Sequence, residues 1–369
     1  MSENRTNPTN SPEQEELKQA IFRLCAVPSV SGFEPRAAEE LRAMLGADFD
    51  EMQTDAVGNH VFIKRCGRAS APLVLVDTHF DEIGMIVTEV CEGGFLRVAP
   101  IGGLSPTVLQ AADVTVWGKR PIRGVITSVP PHLRKGGEDT LPEADEVLID
   151  TGYTKEGLAA LVSIGTPVGF SPRYSELLGT CLAGKSFDNK ACAAVAAYAI
   201  VHTPTEALAA DVALLLSSYE ETSAKGGVAP AAYRLRPDYA MVIDVNLATV
   251  PDVPKRETVP LGKGVSLSVS AATDRRLTRM TQELCREREI AHTVIAAPSS
   301  TGTNATSLNL VRGGVGVVDV GLPLRSMHTY NEVISLTDAA SLCELVRAFI
   351  TSEAIAEAFG ATDKEVLPI

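Results

Sequence analysis

Apolar and polar positions alternate with a different period in three successive parts of the chain. Near the amino terminus, apolar residues fall at helical spacing over 11–27 and 34–45, and a short alternating strand follows at 60–64. Between about 83 and 178 the pattern changes to short β-like runs separated by Gly, Pro and Asp turns. After that, buried strands and helices alternate. The chain is therefore expected to be an α/β unit interrupted by a β-rich segment.

The α/β part is predicted to be a sheet flanked by helices. A fully apolar run at 72–78 is typical of a buried strand. The elements predicted after residue 184 are helices at 190–201, 226–233, 274–289 and 337–358 and strands at 211–217, 239–244, 265–271, 293–297 and 314–321. This alternation favours a largely parallel sheet. We predict a discontinuous α/β domain formed by residues 12–82 and 178–358, an inserted β-domain at 83–177, and a flexible tail over 1–11.

The insertion is predicted to be a small barrel or sandwich. Its predicted strands lie at 85–90, 94–101, 113–118, 122–129 and 146–152, with one helical patch at 155–161. A Gly-rich loop in it carries four apolar residues, Ile101, Leu104, Val108 and Leu109. They are equally consistent with the core of the small domain and with an interface to another subunit.

Polar residues that can bind metals follow the predicted strands of the α/β part. The acidic and imidazole side chains at these positions are His79 and Asp81, Glu220 and Glu221, Asp244, and His328, and Asp188 precedes an Ala-rich helix. In open α/β sheets, ligands bind outside the carboxyl ends of the strands. Singly, each has a structural interpretation, such as a helix N-cap for Asp188 or a solvated turn for the Glu pair. Together, the carboxylates would repel one another unless a cation neutralised them.

The residue types indicate which cations would fit. Imidazole and carboxylate ligands suit Zn²⁺, Co²⁺ or Mn²⁺. With five or more such ligands, two ions about 3.5–4 Å apart that share a bridging carboxylate are the natural arrangement. The sequence therefore predicts a two-metal site at one edge of the sheet.

Charge and composition argue against several classes of partner and location. The net charge of −13 argues against nucleic acid or an anionic membrane as a partner, and no apolar stretch is long enough to span a bilayer. The polar amino terminus does not resemble a secretory signal. Seven scattered cysteines without a CxxC pair indicate a reducing compartment, the cytoplasm, and no disulfide framework.

Five motifs make a resemblance specific. THFDEIGMIVTEV, GKSFDNKACAAV, SSYEETSAKGG, PDYAMVIDVNLA and PLRSMHTYNEVISL resemble, in order and spacing, the M42 family of dinuclear metallo-aminopeptidases, the glutamyl or deblocking group. Some of its members are labelled cellulase or endoglucanase. The resemblance covers roughly residues 14–355. It implies a zinc-peptidase-like mixed sheet flanked by helices, a barrel-like insertion that serves as a dimerisation domain, and dimers that assemble into a dodecamer.

The resemblance also implies a role for each site residue. Asp188 would bridge two divalent ions, Zn²⁺ or Co²⁺ with Mn²⁺ also accepted, and a cis peptide would join it to Asn189. The remaining implied roles are ligation of one ion by His79 and Asp244, ligation of the other by Glu221 and His328, general-base catalysis by Glu220, and orientation of the His79 ring by the Asp81 carboxylate.

Two positions bear on the substrate. Asn304 stands in a Gly-Thr-Asn-Ala segment where the family commonly has Asp, which affects recognition of a free amino group. Arg325, three residues before His328, either receives an acidic substrate or braces its loop, and we expect bracing.

The leading prediction is a cytoplasmic aminopeptidase that removes N-terminal residues from short peptides. Because of Asn304, a related two-metal deacylase acting on N-acyl amino acids is the alternative. Glycoside hydrolysis is less consistent with the sequence, because aromatic residues make up only 5% of it, with the one Trp at position 117, and the histidines would have no role. A catalytically silent scaffold is disfavoured by the complete set of ligands.

Overall fold

A computed structural model describes residues 10–133, 147–222 and 226–360. Most of the predicted tail and residue 146 of a predicted strand lie outside these ranges. The helices are α1 (Pro12–Ala26), α2 (Ala38–Leu45), α3 (Pro106–Leu109), α4 (Lys155–Ala159), α5 (Phe187–Val201), α6 (Val228–Leu235), α7 (Arg275–Glu287), α8 (Ala305–Leu308), α9 (Leu336–Ile350) and α10 (Glu353–Phe359).

One large sheet forms the α/β part. Within the described ranges its strands are β1 (Glu51–Thr54), β2 (His60–Lys64), β3 (Leu73–His79), β10 (Tyr174–Glu176), β11 (Cys181–Gly184), β12 (Asp211–Ser217), β13 (Tyr239–Leu247), β14 (Val265–Ser270), β15 (His292–Ala297), β16 (Gly316–Arg325) and β17 (Glu332–Ser335). Their order is β1-β2-β12-β3-β13-β16-β17-β11-β10, with β14 pairing with β16 and β15 with β14.

Strand direction differs between the centre of the sheet and its flanks. The four central strands β12, β3, β13 and β16 are mutually parallel, whereas β1, β2, β17, β11 and β10 pair antiparallel with their neighbours. The sheet is thus mixed, as the family resemblance implied. The largely parallel pairing expected from the alternation holds for the four central strands and for the pair β14 and β15. Hydrophobic pattern reports burial, which does not depend on strand direction.

The segment between the two parts of this sheet forms a closed barrel. Its strands are β4 (Gly84–Val90), β5 (Phe95–Ile101), β6 (Asp113–Trp117), β7 (Pro121–Ile126), β8 (Leu148–Asp150) and β9 (Pro167–Phe170), in the order β4-β5-β8-β7-β6-β9. The barrel has a core of its own, in which Val87, Leu96, Val116, Ile149 and Val168 are at most 1% exposed.

The apolar loop residues of the insertion divide between two environments. Leu109 is buried in the barrel core and Leu104 packs against it. Ile101 and Val108 are half-buried. For Leu104 and Leu109, the structure therefore supports a place in the core of the barrel.

Helix α5 connects the core to the site. It packs against α1, α9 and the central strands β3 and β13. Its alanines allow this close approach on nearly every side, and every residue from Phe187 to Ile200 is buried. The start of the helix is thereby held at the edge of the sheet where β3 and β13 end.

The predicted long helix at the carboxyl terminus is instead two helices, α9 and α10. The break falls at Thr351 and Ser352, and the Ser352 side chain accepts a hydrogen bond from the backbone N–H of Ile355 as the N-cap of α10. None of the helices in the described ranges has the length and apolar character of a membrane span. All seven cysteines are free thiols, five of them buried.

Candidate metal centre

The structure brings the predicted ligands together at one edge of the sheet. The parallel strands β12, β3 and β13 lie side by side, so their carboxyl ends meet at this edge. The side chains delivered there are His79 at the end of β3, Glu220 and Glu221 after β12, Asp244 within β13, Asp188 at the start of α5, and His328 after β16.

Asp188 lies between the two histidines. Its Oδ1 atom is 3.1 Å from Nε2 of His79, and its Oδ2 atom is 3.5 Å from Nε2 of His328. The peptide between Asp188 and Asn189 is cis, as the resemblance implied, and both residues have non-helical backbone angles. Both oxygens of Asp188 face imidazoles, so its side chain does not cap the helix. A carboxylate with one oxygen toward each of two imidazoles has the geometry of a bridging ligand.

The remaining side chains group with one histidine or the other. Asp244 Oδ1 is 3.5 Å from Nε2 of His79, and Glu220 Oε2 is 4.0 Å from the same atom. Glu221 Oε2 is 3.4 Å from Nε2 of His328. One ligand atom each from His79, Asp188 and Glu221 lies within 4.8 Å of the other two, a spacing that one metal ion can span. This group takes His79 from one of the ligand sets that the resemblance implied and Glu221 from the other, so the division of the ligands between two ions stays a prediction.

Asp81 makes contacts different from those expected. The Nδ1 atom of His79 is 3.1 Å from the backbone oxygen of Asp81 and 3.5 Å from its carboxylate. The carboxylate instead accepts hydrogen bonds from the backbone N–H groups of Glu220 (3.1 Å) and Glu221 (3.0 Å). Because Asp81 follows His79 by only two residues, its backbone turns back toward the ring while its side chain reaches the adjacent loop. It therefore holds the Glu220–Glu221 turn as well as the His79 ring.

Glu332 is a contact of the centre that sequence reasoning missed. This residue is 2% exposed, and its carboxylate accepts the backbone N–H of Asp188 (3.0 Å) and of His328 (3.2 Å). Its position four residues after His328 is the one feature of the sequence that places Glu332 near the site. A single Glu at the start of a strand is ordinarily solvated, so the pattern alone did not distinguish it.

Burial and mutual repulsion shift the pKa values of the carboxyl groups in the cluster. Burial, followed by repulsion from Asp188, raises the pKa of Glu221 to about 10. Burial raises the pKa of Asp244 to about 7. Burial would likewise raise the pKa of Asp188, but hydrogen bonds with His328 and His79 lower it below its usual value. A divalent cation would favour the ionised form of every carboxylate here, so the donor set fits metal ions.

The two residues expected to bear on substrate recognition contact other parts of the protein. Asn304 is buried, and its amide donates hydrogen bonds to Oδ2 of Asp77 (3.0 Å) and Oγ of Ser217 (2.9 Å). The Nε atom of Arg325 donates to the backbone oxygen of Thr249 at 3.0 Å, which is the bracing contact we expected. The Asn304 amide is thus engaged with the ends of β3 and β12.

Comparison with known proteins identifies the family. The sequence model of the M42 glutamyl aminopeptidase family matches residues 58–345, well over half of the chain. The chain belongs to the M42 peptidase family. This M42 peptidase is 29% identical over 340 residues to the lysyl aminopeptidase of Pyrococcus furiosus, a match that covers 90% of this chain and 96% of the relative.

Solved structures agree with this assignment. The TET aminopeptidase from the marine sediment archaeon Thaumarchaeota archaeon SCGC AB-539-E09 superposes with a TM-score of 0.85 at 25% identity, covering 94% of this chain and 99% of that one. The dodecamer PhTET1-12s gives a TM-score of 0.75 at 25% identity, with 92% and 99% covered. The predicted fold class is confirmed. So is the predicted activity: the M42 peptidase is a metal-dependent aminopeptidase.

Proposed function

We propose that this M42 peptidase removes N-terminal residues from short peptides with a water molecule activated between two divalent ions. The observation that carries the proposal is the placement of Asp188, whose two oxygens face His79 and His328 separately. A single-ion site would need only one of these contacts. Two sets of ligands on either side of one carboxylate favour two ions.

Each ion would have three ligating side chains. His79 and Asp244 would join Asp188 on one side, and His328 and Glu221 would join it on the other. Imidazole with carboxylate suits Zn²⁺ or Co²⁺, and Mn²⁺ is compatible. When bound, two such ions lower the pKa of a coordinated water and polarise the scissile carbonyl.

Glu220 is the residue we assign as general base. Its side chain is 22% exposed and reaches within 4.0 Å of His79, whereas its neighbour Glu221 is 4% exposed and faces His328. Burial, and then the charges of Asp188 and Asp81, raise the pKa of Glu220. A carboxylate that is less acidic than usual accepts a proton from the attacking water more readily, and it can pass that proton to the leaving amine.

The substrates and the assembly belong to the same proposal. A closed homo-oligomer, built from dimers into a dodecamer, would restrict access to short unfolded peptides. The similarity to the dodecameric PhTET1-12s supports it. The barrel also exposes apolar side chains that a partner subunit could cover: Val125 is 45% exposed, Val129 51% and Leu133 66%. The seven free thiols are consistent with a cytoplasmic location.

A substrate panel tests the function. The protein, reconstituted with Co²⁺ or Zn²⁺, is assayed on aminoacyl-p-nitroanilides, N-acetyl amino acids and carboxymethyl-cellulose. We expect turnover only of the substrates with a free amino terminus. Preferential cleavage of N-acetyl amino acids would support the deacylase instead, and release of sugars would support the glycosidase.

Light scattering tests the assembly separately. At micromolar protein concentration and with metal present, we expect a closed oligomer of the 39.0 kDa chain. A species of monomer mass would contradict it.

A further inference from the structure

The buried Glu332 connects two residues of the metal centre that come from distant parts of the chain. Its Oε2 atom accepts the backbone N–H of Asp188 at the start of α5, and its Oε1 atom accepts that of His328 in the loop after β16. One carboxylate thus joins the residue that faces both histidines to one of those histidines. Because Glu332 contacts the backbone, it constrains the positions of the Cα atoms of Asp188 and His328, from which the two side chains project.

Both backbone donors belong to constrained parts of the chain. The N–H of Asp188 lies in the first turn of α5, where backbone donors have no partner within the helix. His328 has a φ of +59°, a conformation that a non-glycine residue keeps only when its surroundings hold it there. Glu332 supplies the acceptor in both cases. Asp81 does the equivalent for another loop of the centre, where it accepts the N–H groups of Glu220 and Glu221.

We propose that Glu332 is a positioning residue, which fixes the separation of Asp188 and His328 and so determines how tightly the ion that they share with Glu221 is held. The inference rests on the proposed two-ion function. It goes beyond that function because it assigns control of one of the two metal sites to a side chain that is not itself expected to ligate.

A second buried carboxylate offers a matched control. Asp338, in the first turn of α9, accepts the backbone N–H groups of Gly262 (2.7 Å) and Gly264 (2.6 Å), and it is fully buried like Glu332. Its two donors lie in the loop before β14. Replacing either acid by its amide keeps the shape but puts an N–H₂ group where one backbone N–H requires an acceptor. General destabilisation should therefore appear in both variants, and a loss of metal affinity only in one.

The experiment compares Glu332→Gln with Asp338→Asn. Thermal unfolding is measured on the metal-free proteins, and affinities for Zn²⁺ and Co²⁺ are measured by competition with a chelator. We expect Glu332→Gln to lower the affinity for one of the two ions by about 10–100-fold, the usual range when a residue that orients ligands is lost. Its kcat should fall at limiting metal and recover in excess metal. Asp338→Asn should lower the unfolding temperature and leave both affinities unchanged.

Opposite results separate the two claims. Two ions per wild-type chain with both affinities unchanged in Glu332→Gln would overturn the positioning role alone, whereas fewer than two ions in the wild type would overturn the two-ion function. If Glu332→Gln does not fold, Glu332→Asp replaces it. The shorter carboxylate keeps its charge but cannot reach both donors, so it should show the same selective loss, and unchanged affinities in it overturn the positioning role.

Discussion

The Nε2 atom of His79 lies 3.1 Å from Oδ1 of Asp188, and the two side chains are only 2% and 7% exposed. Placing a carboxylate and an imidazole at this depth has a desolvation cost that must be offset by hydrogen bonds or by a cation. The other oxygen of Asp188 faces His328, so the carboxylate is shared between two imidazoles.

Glu220→Gln should separate catalysis from metal binding. The amide has the shape of the carboxylate but cannot accept a proton from water, and Glu220 lies outside both proposed ligand sets. We expect two bound ions, a native unfolding temperature and a kcat lower by about 10²–10⁴-fold. The measurement is turnover of an aminoacyl-p-nitroanilide alongside metal analysis. Near-normal turnover would assign the base to another residue.

Gly103→Ala should disturb the His328 side of the centre from within the barrel. A Cβ atom at Gly103 would lie 2.6 Å from Nδ1 and 3.0 Å from Cε1 of His328, closer than atoms can approach, so the ring must move. We expect activity and metal affinity to fall by about 10–100-fold.

Gly313→Ala is the control for that variant. A Cβ at Gly313 meets no atom within 4 Å, and its φ is outside the left-handed region. This variant should retain wild-type activity and metal affinity. If Gly103→Ala behaves in the same way, the barrel loop does not constrain His328.

Glu82→Gln should change how stability depends on pH. Burial alone would raise the pKa of Glu82, but Lys185 and Lys190, whose Nζ atoms lie 2.5 and 3.0 Å from its Oε2 atom, lower it from the ordinary 4.5 to about 2. A carboxyl with a lowered folded-state pKa stabilises the protein above its unfolded-state pKa, and this contribution disappears as the pH falls through the folded-state value. The advantage of the wild type over Glu82→Gln should therefore be complete above pH 4.5 and decline toward pH 2.

Denaturant unfolding of the metal-free proteins at several pH values measures this difference. The exposed Glu287, mutated to Gln, serves as the control and should stay close to the wild type throughout. A constant difference between wild type and Glu82→Gln from pH 6 to pH 2 would show that the two lysines do not act on Glu82 as an ion pair.

The sequence was informative wherever function depends on side chains at strand ends. Apolar runs predicted β3, β12 and β13, and residues such as His79 and Asp244 follow from the rule that parallel strands present their carboxyl ends together. The barrel was predictable because Gly and Pro turns separate its short strands. The pairing of ligands into two sets came from the family resemblance.

Other features depend on tertiary distances that no local pattern encodes. Glu332 reaches a backbone N–H that is 144 residues away in the chain, and Asp81 reaches the turn at Glu220, 139 residues away. Neither contact leaves a periodic signal. The antiparallel flanks of the sheet escaped prediction for a similar reason, since burial is the same for either direction. The break before α10 did have a local signal, the capping Ser352, which the helical periodicity concealed.

Asp188→Ala should remove the ligand that both ions share. We expect bound metal to fall well below two ions per chain and activity to be lost. Helix α5 should remain, because it is buried along its length and the Asp188 oxygens face the two histidines. Circular dichroism and metal analysis after dialysis check the two parts of this prediction. Two ions retained in this variant would mean that the carboxylate of Asp188 does not bridge them.

The central claim is that one chain binds two divalent ions on opposite sides of Asp188 and needs both for peptide hydrolysis. The most direct test is a titration of metal-free wild-type protein with Co²⁺ or Zn²⁺, in which bound metal and aminopeptidase activity are followed together. The account predicts that activity reaches its maximum when two ions are bound per chain. Full activity at one bound ion per chain would contradict it.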